Sequence, residues 1–208
     1  MVNRAVILLS GGIDSSTALF EIQNNPDIDE IICLTFNYGQ KAQKEIESAK
    51  ELALSCDKVI QHEIMPIEIS HTARSAIIES QDVKSSDYFF PARNAIFLSL
   101  GAAYCYKKEA KILVFGASGK DTDDVYPDCR PSFIQAMREA LVISGEIMEL
   151  IAPNSGTTKK QVLKRAIELK VPLGKTYSCY DSEPCLKCGA CIARTEAFKK
   201  IKETDPLR

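Results

Sequence analysis

An excess of charge of either sign is what this chain most plainly lacks. Its 26 lysines and arginines face 28 aspartates and glutamates, a formal net charge of −2 over 208 residues. That balance gives no broad electrostatic case for binding nucleic acid. Long apolar runs are missing as well: none approaches the ~20 residues of a membrane-spanning helix. The first residues, Met-Val-Asn-Arg, lead directly into an apolar strand and carry neither the charged region nor the cleavage site of a signal peptide. A cytoplasmic protein with no membrane or nucleic-acid partner is therefore expected. Histidine is scarce, and His62 and His71, the only two, read as structural or exposed. Repeats and low-complexity segments are absent.

The remaining composition is that of a globular protein, with 45% hydrophobic and 26% charged residues. The length suits one domain with an appendage and can bury a real core. Residues 10 to 15 read Ser-Gly-Gly-Ile-Asp-Ser, after the apolar run Ala5-Val6-Ile7-Leu8-Leu9 and before a helical stretch. A buried strand ends, two glycines turn the backbone, and a helix opens with small hydroxyl residues. Backbone N–H groups and a helix N-terminus then converge where an anion can sit. A plain connecting turn is the bland alternative, but the strand–loop–helix context and the hydroxyls of Ser10, Ser15, Ser16 and Thr17 favour a phosphate loop. It is not a Walker loop, because no Gly-Lys-Ser/Thr is present. Asp14 fits beside phosphate only with a cation between them, which points to Mg²⁺.

Cysteines form the second unusual feature. Cys33, Cys56 and Cys105 stand singly in apolar or helical surroundings and read as small buried hydrophobes. Cys129 adjoins Arg130, which could lower its thiol pKa, but no partnered base is evident. The other four, Cys179, Cys185, Cys188 and Cys191, lie within thirteen residues with spacing Cys-x5-Cys-x2-Cys-x2-Cys. In a reducing compartment this spacing suits a closed, structural tetrahedral Zn²⁺ site. An iron–sulfur cluster is the competing occupant. Residues 192–203 then read as an amphipathic helix, with Ile192, Ala193, Ala197 and Ile201 on one side.

Strands are expected at 5–9, 30–36, 58–64, 111–116 and 147–151. Helices are expected at 15–24, 41–55, 91–107, 131–144 and 158–169, and residues 66–88 carry no strong period. Alternating strands and helices predict a parallel sheet covered on both faces. Its ligands should bind beyond the carboxyl ends of the strands, where the loops 10–16, 37–40 and 116–130 fall. Phe36 and Asn37 are placed to read adenine through backbone groups. Arg93, in the first turn of a helix opened by Pro91, runs against the helix-dipole preference, which an anionic ligand nearby would explain. Tyr126 can stack on a heterocycle, and Asp128 can accept from a guanine-like edge. For each of these loops a solvated turn is the alternative.

Six segments taken together resemble the 7-cyano-7-deazaguanine synthases. They are Leu-Leu-Ser-Gly-Gly-Ile-Asp-Ser-Ser (8–16), Thr-Phe-Asn-Tyr-Gly-Gln (35–40), Phe-Pro-Ala-Arg-Asn (90–94), Tyr-Pro-Asp-Cys-Arg-Pro (126–131), Ser-Cys-Tyr (178–180) and the cysteine cluster. The resemblance implies a Rossmann-like sheet of the adenine nucleotide alpha hydrolase type over 1–177 and a zinc-bound helical lobe over 178–208. It also implies a homodimer and an ATP-dependent ligation. 7-Carboxy-7-deazaguanine and ammonia would become the nitrile through an adenylated carboxylate and an amide. Segment 116–125 departs from the family pattern, which keeps a second reading: a ligase that stops at the amide or conjugates the deazaguanine to a protein or nucleic-acid amine. The expected catalytic groups are Ser10, Asp14, Ser15 and Arg93. Leu9 to Thr17 (Leu9, Ser10, Gly11, Gly12, Ile13, Asp14, Ser15, Ser16, Thr17), with Phe36 and Asn37, should hold ATP. Tyr38, Gln40, Arg93, Asn94, Asp121, Tyr126, Asp128 and Arg130 should hold the substrate, and the four clustered cysteines the metal.

Overall fold

Five apolar runs assemble into one parallel sheet in the computed structural model, which describes residues 2–69, 77, 88–119, 126–145 and 147–207. The strands are β1 (Arg4–Leu8), β2 (Glu30–Asn37), β3 (Val59–Pro66), β4 (Ile112–Phe115) and β5 (Glu149–Ile151), in the order β3-β2-β1-β4-β5. Central β1 pairs in register with both neighbours, Val6 opposite Ile32 on one side and Leu113 on the other. Strands buried on both faces read as continuous apolar runs rather than alternating ones, and β1 and β2 do so.

Helices cover both faces, as the alternating pattern predicts. Helix α1 (Ile13–Gln23), α2 (Gln43–Ala53) and α5 (Lys159–Glu168) pack around Ala5, Ile7, Ile31 and Val114. Helix α3 (Arg93–Lys107) and α4 (Pro131–Ile143) pack around Val6, Leu8, Ile32 and Leu113. Odd and even residues of β1 thus serve opposite cores, the period-2 consequence of the pleat. The order of strands reverses between β1 and β4, which opens a crevice above their carboxyl ends.

Two elements differ from the sequence expectation. Helix α3 starts at Arg93 rather than Pro91, because Ala92 takes a left-handed conformation (φ 59°) and turns the chain sharply before the first helical residue. The last helix, α6 (Gly189–Ile201), starts three residues early because the Cys188 sulfur accepts the Cys191 N–H as its cap. Of its expected inner side, Ala197 and Ile201 pack on the α1–α5 core together with Phe198, while Ile192 is 46% exposed.

Arg194 of α6 is the largest fully buried side chain among the described residues. Its guanidinium donates to both oxygens of Asp205 at 2.7 Å and to the Thr176 hydroxyl at 2.8 Å. This buried fork ties α6 to the segment that leads into the cysteines. Asp121, His71 and most of 66–88 lie outside the described residues. Among the described residues no helix is long and apolar enough to cross a membrane.

Candidate active site

The loop after β1 is built by its own hydroxyls. Ser15 Oγ accepts the Ser10 N–H at 3.2 Å and lies 3.0 Å from Ser10 Oγ, so the loop curls over the first turn of α1. Ser16 and Thr17 donate back to Gly12 and Ile13 carbonyls at 2.7 Å each. Gly11 sits at φ +81°, and a Cβ there would lie 2.2 Å from the Glu45 carbonyl oxygen, so α2 can press on the loop only because that residue is glycine. Gly116, just past β4, is the second such contact: a Cβ would fall 2.5 Å from the Ser15 Cα. Asn154 clamps both chains, donating at 2.8 Å to the Asp14 and the Gly116 carbonyls.

Asp14 lies in the first turn of α1, where the helix dipole favours a carboxylate. One oxygen pairs with Lys159 at 2.5 Å. The other, Oδ1, is buried with no hydrogen-bond partner among the described residues. A buried carboxylate oxygen without a donor is costly. A bound cation at Oδ1 would remove that cost, so the residues present fit a divalent ion bridging to phosphate. Lys159, at the start of α5, was not foreseen in the sequence; its signal was only a lysine after the Thr158 cap.

Both the loop and Asp14 open onto one cavity of about 750 Å³. Its far end is aromatic and basic. The Phe36 and Phe97 rings stack at 4.6 Å. Arg93 lies 5.9 Å from the Tyr38 and the Phe97 ring centres and donates to the Tyr38 hydroxyl at 3.2 Å. Burial opposes the Arg93 charge, but Tyr38, Tyr180, Asp128 and Glu45 around it more than offset that and keep it ionised. Among the described residues its Nε has no partner. Glu45 of α2 completes this end, its carboxyl pushed up to about 8 by burial and only partly drawn back by Arg93. Tyr126 and Tyr180 share a hydroxyl–hydroxyl hydrogen bond of 3.1 Å.

The structure sorts the expected residues. Leu9, Ser10, Gly12, Ile13, Asp14, Ser15, Phe36, Tyr38, Gln40, Arg93, Asn94 and Tyr126 line the cavity. Gly11, Ser16 and Thr17 shape the loop from behind, and Asn37, Asp128 and Arg130 stand off the wall. Asn37 accepts from Gly39 and Ile67. Asp128 is buried, and its carboxylate accepts the Asn94 N–H at 3.3 Å in the first turn of α3. It therefore supplies the negative charge that Arg93 seemed to deny this helix start. Gln40 spends its amide on Tyr38 N and Phe36 O, bracing its own loop. The Cys129 thiol is pushed up to about 12, by burial and then by Asp128, which suits no nucleophile. Glu45, Phe97 and Lys159 are among the wall residues that sequence reasoning missed.

The four cysteine sulfurs all lie within 4.8 Å of one another. Cys179 Sγ is 3.5 Å from Cys185 Sγ and 3.9 Å from Cys188 Sγ. Backbone N–H groups of Asp181 and Cys185 point at Cys179, and that of Cys188 at Cys185. Such donors suit thiolates, so the cluster fits a metal ion.

A family model described as "Queuosine biosynthesis protein QueC" matches residues 4–202. The 7-cyano-7-deazaguanine synthase of Hahella chejuensis is 38% identical over 218 residues, covering 99% of this chain and 92% of that protein. Two solved structures share the fold. NMN synthetase from Francisella tularensis aligns with a TM-score of 0.54 at 17% identity, over 96% of this chain and 77% of that one. The U34-tRNA thiolase NcsA from Methanococcus maripaludis, whose structure carries a 4Fe-4S cluster, aligns with a TM-score of 0.54 at 16% identity. This chain spans 64% of that thiolase, over 96% of its own length.

Proposed function

The chain belongs to the QueC family, and we propose that it converts 7-carboxy-7-deazaguanine and ammonia to 7-cyano-7-deazaguanine in an ATP-dependent ligation. The observation that carries this reading is the shared cavity, with a phosphate loop at one end and a ring-shaped aromatic slot with a fixed cation at the other. A carboxylate is a poor electrophile until one oxygen becomes a leaving group. Adenylation supplies that leaving group, ammonia displaces it to give an amide, and a second activation removes the amide oxygen. The chain needs no covalent side chain for this. Ser10, Ser15 and the N-terminus of α1 hold the diphosphate, and Arg93 orients the acid. Lys159 neutralises charge beside Asp14. When bound at Asp14, Mg²⁺ would absorb charge on the departing pyrophosphate.

Zinc is the metal we assign to Cys179, Cys185, Cys188 and Cys191. Four thiolates on one Zn²⁺ at ~2.3 Å stand ~3.8 Å apart in a tetrahedron, a spacing that the 3.5 and 3.9 Å sulfur distances support. A cube of irons would need its thiolates further apart. The site is closed by four protein ligands, so its role is structural. We also propose a cytoplasmic homodimer, with 1–177 as the ATP-binding unit and 178–208 as the zinc lobe.

Mass spectrometry of the product tests the reading. Incubation with ATP, Mg²⁺, 7-carboxy-7-deazaguanine and ammonia should yield the nitrile and pyrophosphate. An amide as the final product would favour the ligase that stops there. No new product would sink the proposal.

A further inference from the structure

The reaction outlined above leaves Glu45 without a task, although it lines the cavity wall, half-buried. Among the described residues its side chain has no hydrogen-bond donor; only the charge of Arg93 acts on it favourably. A half-buried carboxyl on a cavity wall, with no donor from the described residues, is open to accept N–H groups from a ligand. Arg93 shows the complementary need. Its Nε–H is buried and has no partner among the described residues, while its guanidinium is held beside the Tyr38 and Phe97 rings. The slot thus offers flat aromatic walls, one free donor and one free double acceptor.

A guanine-type ring has the matching edge: a carbonyl oxygen, then a ring N–H, then an exocyclic amine. Adenine offers a single amine beside a bare ring nitrogen, so it can satisfy only one lobe of a carboxylate. The residue first expected to read this edge, Asp128, stands off the wall with its oxygen on Asn94. We infer that Glu45, with Arg93 beside it, is the specificity-determining pair that reads the carbonyl, N–H and amine edge of the deazaguanine. The inference rests on the substrate proposed above.

Calorimetry on the metal-loaded full chain tests it with two ligands: 7-carboxy-7-deazaguanine and the same acid lacking its exocyclic amine. Loss of the amine should weaken binding to the wild type by roughly ten- to hundredfold. In Glu45→Gln the same loss should shrink to less than about threefold, with ATP affinity unchanged. Glu45→Asp keeps the charge and should recover part of the preference, which separates edge reading from damage to the fold. Equal binding of both acids by the wild type would overturn the inference. So would a Glu45→Gln variant that loses ATP as strongly as the acid. Nitrile formation by the wild type distinguishes the two failures: if the nitrile forms but the amine is not sensed, only Glu45 is misassigned.

Discussion

The two ends of the cavity are built in opposite ways. The phosphate end is nearly contiguous: Ser10, Asp14 and Ser15 lie within six residues, and their geometry follows from one strand–turn–helix. The ring end gathers Tyr38 after β2, Glu45 from α2, Arg93 and Phe97 from α3, and Tyr126 and Tyr180 from two later segments. A contiguous site depends on local backbone conformation, and a gathered one depends on the packing of whole elements. The first should therefore tolerate changes in the sheet that the second does not, while each should fail selectively when its own charged group is altered.

The largest effect is expected at Asp14. Asp14→Asn should cut pyrophosphate release by about a thousandfold or more, while the melting temperature stays near that of the wild type. Full turnover by this variant would remove Asp14 from the chemistry. At the other end, Arg93→Lys keeps the charge but loses the planar fork and the ring contacts. It should lower kcat/KM for the deazaguanine acid by about a hundredfold and leave the KM for ATP within about twofold. A matched loss for both substrates would mean that the two ends are not separable.

The cysteine lobe and Tyr177, the residue just before it, touch both ends. The Tyr177 N–H donates to the Gly11 carbonyl at 2.9 Å, and Tyr180 meets Tyr126. Cys188→Ser should therefore lower bound zinc and melting temperature together, by on the order of 10 °C. KM values for ATP and for the acid should rise in parallel, by about tenfold. Metal loss with an unchanged melting curve would show that the lobe is not braced by its ion.

How much of this could be read from the sequence follows the same division. Residues 10–17 could be read as a strand–turn–helix loop facing the cavity because the strand, glycines and hydroxyls act within one turn. The sheet was equally legible, since its central strands β1, β2 and β4 are nearly continuous apolar runs. The cysteine spacing announced a metal site. Glu45 was not legible: it lies in a charged helix whose sequence, Gln-Lys-Glu-Ile-Glu-Ser, has a second glutamate two residues on. Only the three-dimensional placement of the α2 start at the cavity distinguishes them, leaving Glu45 half-buried on the wall within the field of Arg93 while Glu47 stays exposed. Asp128 failed in the other direction. Its loop position looked ligand-facing, but α3 needed a carboxylate at its N-terminus and took it.

The weakest expected effect is a pH dependence confined to the ring end. Among the described residues, the charged and titratable groups facing Glu45 are Arg93 from α3, Tyr38 after β2 and Tyr180 from the C-terminal segment. Burial raises both phenols above their ordinary range, and Arg93 stays ionised, so among these groups Glu45 alone changes charge near neutrality. Folding raises its carboxyl from 4.5 to about 8. The folded protein thus holds a proton that the unfolded chain has released, and the empty protein loses stability as pH rises across that window. Ligand binding runs the other way, because ring N–H donors favour the ionised carboxylate. Affinity for the deazaguanine acid should rise by about fivefold between pH 7 and 8, with proton release on binding. Glu45→Gln should flatten both the affinity profile and the stability slope, whereas ATP affinity, set at the contiguous end, should follow neither. A wild-type affinity that is level from pH 6 to 8 would leave the carboxyl without a role in binding.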